Sequence, residues 1–295
     1  MPKMNRRSFI ASAGLLSTSA ALPRSAVPPY DVLAEIRRYR KIDCHNHVFA
    51  SHPVREIIAA ADKLEIEKVA ISCPLTSPEA EKVTPEGVRE ANDVVLRAMK
   101  DIPGRFLGQC FVNPAHGQEA LEEMTRCMDA GMIGLGEMYT QVRLTDPRYF
   151  PIIEKCIELK TPLLSHAAAA RKDMRDPKLP GGSIADDFVE IGKRYPEALI
   201  IYGHIGGGGD WEYACKALHD APTIYADTSG SVTDEGLVDV AVRCLGVRRL
   251  LFATDLNFET GVGKILAANL TPTERQQIFF DNFNGILRMR GNNVH

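Results

Sequence analysis

Two imidazoles stand two residues apart in the segment DCHNH, Asp43 to His47. Side chains in a strand alternate with period 2, so a strand here puts Asp43, His45 and His47 on one face and Cys44 and Asn46 on the other. Three further apolar runs end in similar groups: PLLSH at His166, IIYGH at His204 and LLFATD at Asp255. A polar group at the end of a buried strand costs desolvation unless it finds a partner. One divalent cation would partner several of these at once. Imidazole nitrogens with a carboxylate are ligand types for zinc, with manganese or iron(II) as alternatives. The alternative at DCHNH is two polar residues at a strand end, satisfied by their neighbours.

The elements that must bring these groups together follow from hydrophobic patterning. After Tyr30, short apolar runs alternate with longer amphipathic stretches. The runs predict strands over residues 41–47, 68–73, 106–112, 133–138, 162–166, 198–204, 223–227 and 249–255. Helices are predicted between them, the last over 272–288. Thr84 and Thr271 are the expected N-caps, each followed by Pro. Eight strands, each followed by a helix, is the count that closes a parallel (β/α)8 TIM barrel, an α/β fold whose active sites lie at the C-terminal strand ends. An open doubly wound sheet is the alternative. It offers a Gly-rich phosphate turn after its first strand, where this sequence has histidines.

The strand-one His-x-His, the His residues ending strands five and six, and the Asp ending strand eight resemble the amidohydrolase superfamily. Within it the chain is similar to the branch holding aminocarboxymuconate-semialdehyde decarboxylase-like enzymes. The resemblance spans roughly residues 41–290, including DNFNGIL, Asp281 to Leu287. It implies that His45, His47, His166 and Asp255 are metal ligands, with Asp255 also acting as acid and base. It implies that His204 either ligates a second ion or polarises the substrate. Glu137 ends strand four in GLGEMY, where binuclear members carry a bridging carboxylate. One ion or two is left open, and with it whether Glu137 ligates or supports a ligand histidine.

The chemistry expected first is hydrolysis of a carboxylic ester, lactone or amide-type bond through a metal-activated water, with Asp255 and His204 catalytic. The alternative is metal-dependent, non-oxidative decarboxylation of a small aromatic or unsaturated carboxylic acid. A binding protein on a barrel with a vestigial site is a third reading. Arg171, Tyr139 and Trp211 are candidates for holding a small-molecule substrate, and Arg143 and Asn113 lie at the same face. Asp210 is the expected N-cap of the helix after GHIGGGGDW, and Asp227 an orienting group.

Residues 5–22, NRRSFIASAGLLSTSAAL, resemble a twin-arginine export signal. The expected organisation is a signal over 1–26, a lead-in over 27–40, one catalytic domain over 41–290 and a tail over 291–295. A periplasmic or secreted enzyme with no membrane span in its mature form follows. Seven cysteines, none in a Cys-x-x-Cys pair, predict free thiols rather than a disulfide framework. The formal charge of -3, without basic runs interleaved by aromatics, argues against nucleic-acid binding. A homo-oligomer is left open.

Overall fold

The apolar runs become short parallel strands in the computed structural model, which describes residues 31–49, 54–75, 83–174, 177, 179–207, 209–292 and 294–295. The chain divides into two units, Met1–Val32 and Leu33–His295. The export-type segment lies outside the described residues. In the larger unit the strands are β1 (Ile42–His47), β2 (Lys68–Ser72), β3 (Phe106–Cys110), β4 (Gly134–Met138), β5 (Leu163–Ala169), β6 (Ser183–Ile184), β7 (Ile200–Gly203), β8 (Tyr225–Asp227) and β9 (Leu250–Leu251). Neighbours pair in parallel in the order β1-β2-β3-β4-β5-β7-β8-β9, and β6 pairs with β5 off this path. Cys44 N–H donates to Phe252 O at 3.0 Å and Asp255 N–H to His45 O at 2.9 Å, so the chain just past β9 meets β1. The fold is a (β/α)8 barrel.

The helices are α1 (Val32–Arg37), α2 (Val54–Lys63), α3 (Pro85–Asp101), α4 (Gln118–Asp129), α5 (Phe150–Leu159), α6 (Ala185–Arg194), α7 (Trp211–His219), α8 (Leu237–Leu245), α9 (Phe258–Ala267), α10 (Pro272–Gln276) and α11 (Asn282–Arg288). Thr84 caps α3 by accepting from Gly87 N–H, and Thr271 forms a capping box with Glu274. Asp210 caps α7 through Tyr213 N–H. The helix predicted over 272–288 is interrupted by a π-helical turn at 277–281. Just past that turn, Asn282 Nδ2 donates to Val247 O and Leu250 O, both at 2.8 Å. The DNFNGIL segment thus caps the entry to β9.

One apolar layer lies between strands and helices. A second, from Ile42, Cys44, Ala70, Leu164, Ile201 and Leu251, fills the barrel, and Phe280, Phe283, Ile286 and Leu287 join it. The tail is held: Asn284 and Val294 exchange hydrogen bonds of 2.9 and 2.6 Å, and Arg40 donates to His295 O. All seven cysteines are free, six of them buried. Among the described residues no helix is long and apolar enough to cross a membrane.

Candidate metal centre

β1 does not keep its period. Its pairing with β2 shifts register between Asp43 and Asn46, a β-bulge. Cys44 therefore packs inside the barrel, and His45 and His47 still reach the centre above it. Asp43, expected on the histidine face, is turned away. Its carboxylate accepts from Thr254 N–H and Oγ1 (3.0 and 2.6 Å), from His45 N–H (3.1 Å) and from Asn46 Nδ2 (2.9 Å). It ties β1 to the chain end that carries Asp255. The bulge turns an alternating face into a pair of candidate ligands and a structural staple.

The other groups arrive from separate elements. Glu137 lies in β4, and His166 lies within β5 rather than at its end, because that strand runs on to Ala169. His204 follows β7 at φ 68°, and Asp255 follows β9 at φ 45°. Left-handed backbone in residues with a Cβ costs roughly 1–2 kcal/mol each. Both sit where a strand breaks off so that a side chain can turn inward.

Glu137 is the hub. Its Oε1 lies 2.6 Å from His166 Nδ1 and 2.7 Å from His204 Nε2. Its Oε2 lies 3.4 Å from His47 Nε2 and 3.6 Å from His45 Nε2. Asp255 Oδ1 is 3.0 Å from His47 Nε2. His45, His47 and Asp255 converge as one triad, and Glu137, His166 and His204 as another, with ligand atoms in each within 4.8 Å of one another. Five of these side chains are buried or nearly so, whereas Asp255 is 26% exposed.

Burial alone would raise the Glu137 carboxyl. The charges of His166, His45 and His204 outweigh it and hold Glu137 well below the usual carboxylate range. Burial likewise opposes ionisation of Asp255, but the His47 hydrogen bond and the charges of His45 and His204 bring it down to about 2. Burial pushes the His166 imidazole down against the pull of Glu137. Anionic oxygens and imidazoles packed together in a buried cluster draw in positive charge, and protons compete with a metal for the same lone pairs.

The residues fit a divalent cation on one further observation. His45 Nε2 is fully buried and has no hydrogen-bond partner. Its other nitrogen, Nδ1, lies 2.8 Å from Asp227 Oδ2. A carboxylate can only accept, so Nδ1 carries a hydrogen, and Nε2 faces the cluster, where a cation would take its lone pair in place of a proton. Asp227 was legible as an orienting group. Ser72 was not: its Oγ accepts from Glu137 N–H at 2.8 Å and lies 3.2 Å from His47 Nδ1. Ser229, 2.9 Å from His204 Nδ1, was missed as well. Each is a common residue at a strand end, and nothing in its spacing marks it.

The candidates for holding substrate are less tightly gathered. Tyr139 packs against His166 with ring centroids 4.0 Å apart and the rings tilted by 45°. Trp211 donates from Nε1 to Asp234 Oδ2 at 2.8 Å. Arg171 forks onto Asp173 at 2.8 and 3.1 Å and reaches Asp210 at 3.1 Å. Asn113 caps the short turn Pro114–His116.

Fold and site together define a barrel enzyme whose C-terminal strand ends carry groups able to hold a divalent cation. The amidohydrolase family matches residues 42–282, and the chain belongs to it. No curated protein matches the sequence. Among solved structures, a dihydroxybenzoic acid decarboxylase from Polaromonas sp. with bound manganese is similar at 17% identity and TM-score 0.67, over 85% of this chain and 97% of that one. The 5-carboxyvanillate decarboxylase of Sphingomonas paucimobilis aligns at 19% identity and TM-score 0.63, over 84% and 99%. A 4-oxalomesaconate hydratase from Rhodopseudomonas palustris aligns at 19% and 0.61, over 84% and 95%. At these identities the likeness speaks for the fold.

Proposed function

We propose that the chain is a metal-dependent hydrolase of a carboxylic ester, lactone or amide-type bond. The observation that carries this reading is the position of Glu137. Its Oε1 faces His166 and His204 and its Oε2 faces His45 and His47, as a carboxylate shared by two cations would. His45, His47 and Asp255 would hold one ion, and His166 and His204 the other, with Glu137 between. A divalent cation in such a site acidifies water and polarises a carbonyl; zinc or manganese suits these ligands.

The chain's own groups supply the proton handling. Asp255 is ionised at neutral pH and is the most exposed of the ligand carboxylates. It is placed to take a proton from attacking water and return it to the leaving group. Tyr139 walls the site beside His166. Arg171 would have to leave two solvent-screened ion pairs, to Asp173 and Asp210, to meet a substrate carboxylate.

A second reading, non-oxidative decarboxylation of a small aromatic or unsaturated acid, has the better support from the similar solved structures, which include two decarboxylases on the same fold, one with bound manganese; hydrolysis has support from the family alone. Metal analysis and a product assay separate the two. Two cations per chain, with acid released from lactones, esters or amides and no carbon dioxide, are the expected result. One cation with carbon dioxide released from hydroxybenzoates would replace the proposal with the second reading. We further propose export by the twin-arginine route. Arg6→Lys with Arg7→Lys should leave the protein in the cytoplasmic fraction, and unchanged periplasmic recovery would refute that.

A further inference from the structure

The Ser229 hydroxyl has one hydrogen to donate. Its Oγ lies 2.5 Å from Asp227 Oδ1 and 2.9 Å from His204 Nδ1. Asp227 Oδ1 already accepts the backbone N–H groups of Ser229 (2.9 Å) and His204 (3.2 Å). An oxygen receiving two amide donors is an acceptor, so the hydroxyl hydrogen goes to it. Ser229 Oγ is then left to accept from His204, whose Nδ1 must carry hydrogen. Asp255 Oδ2, 3.6 Å from the same nitrogen, adds negative potential on that side. Asp227 Oδ2 meanwhile accepts Nδ1–H of His45 at 2.8 Å. One carboxylate therefore sets two imidazoles on different strands, one directly and one through a hydroxyl. Asp227 and Ser229 are both buried, so water cannot easily substitute.

We infer that Ser229 is a positioning residue that fixes His204 with hydrogen on Nδ1 and its Nε2 lone pair presented to a divalent cation, as Asp227 does for His45. The expected metal effect rests on the proposed two-ion centre. The hydrogen on Nδ1 rests on hydrogen-bond accounting alone, whereas Nε2, 2.7 Å from Glu137 Oε1, gives up its own hydrogen only to a bound cation.

The test is nitrogen NMR of the full-length, zinc-loaded protein labelled with 15N-histidine, with His204 assigned by loss of its signals in His204→Asn. Wild type should show His204 Nδ1 as pyrrole-like and Nε2 as pyridine-like. Ser229→Ala should lose that signature and bind zinc about 10–100-fold more weakly. Ser229→Thr, which keeps a hydroxyl, should restore both. Hydrogen on Nε2 of His204 in wild type overturns the inference, even if Ser229→Ala does not fold. A Ser229→Ala protein with unchanged tautomer or unchanged zinc affinity overturns it too. Carbon dioxide as product would defeat the hydrolase proposal while leaving the wild-type spectrum as expected, so the two failures are distinguishable.

Discussion

Glu137 concentrates the electrostatics of the centre, because four imidazoles face its two oxygens. Glu137→Gln keeps the shape and removes the charge. Atomic absorption on the dialysed variant should find at most one cation per chain, and kcat/KM should fall by about 100-fold or more. Two retained cations would exclude a bridging role. Most of this chemistry could be read from residues, since imidazole and carboxylate at the ends of apolar runs are costly without partners. The hydroxyls of Ser72 and Ser229 could not. A serine is cheap to place at a strand end, so its presence there carries little information until its neighbours are known.

Elements account for the placement of those residues. The eight strands were legible, but their ends were not: the run predicted over 249–255 yields only Leu250–Leu251 as strand. Apolar residues continue past the ladder because the layer beneath the centre is itself buried. The bulge in β1 was also invisible, since neither Gly nor Pro marks it. The loop after β8 has a tighter constraint. Gly230 has φ 99°, and a Cβ there would lie 2.4 Å from the Gly206 carbonyl carbon. This contact stacks the loop that carries Ser229 on the one that follows His204. Gly230→Ala should destabilise the fold by at least about 1–2 kcal/mol, through both the left-handed backbone and the clash. Urea denaturation measures it, and an unchanged midpoint would mean that the loops part freely.

At the scale of the whole molecule, cation binding and folding are linked. A ligand at about 100 times its Kd stabilises by about 2.7 kcal/mol, which for a chain of this size is roughly 4–5 °C in Tm. Chelation should lower Tm by that amount and zinc or manganese should restore it; an unaffected Tm would argue against a resident metal. Far from the centre, Lys41 is fully buried and donates to Ile36 O and Tyr39 O, holding the end of α1. Burial lowers its pKa to about 8. The folded value lies below the unfolded one, so the unfolded chain binds more protons between pH 8 and about 10.4. The Lys41 contribution to stability should therefore rise across that window and stay flat below it. Comparing wild type with Lys41→Met over pH 7–10 isolates the effect, and a constant difference would refute it. The sequence by itself determined the barrel and the imidazoles and carboxylates at its strand ends, because strand count, hydrophobic period and polar strand ends are properties of local segments. Only the tertiary structure decided that Asp43 is a staple, that Glu137 lies between two pairs of imidazoles and that serine hydroxyls meet His47 and His204. Those facts depend on distances between residues far apart in the chain, which no local pattern encodes.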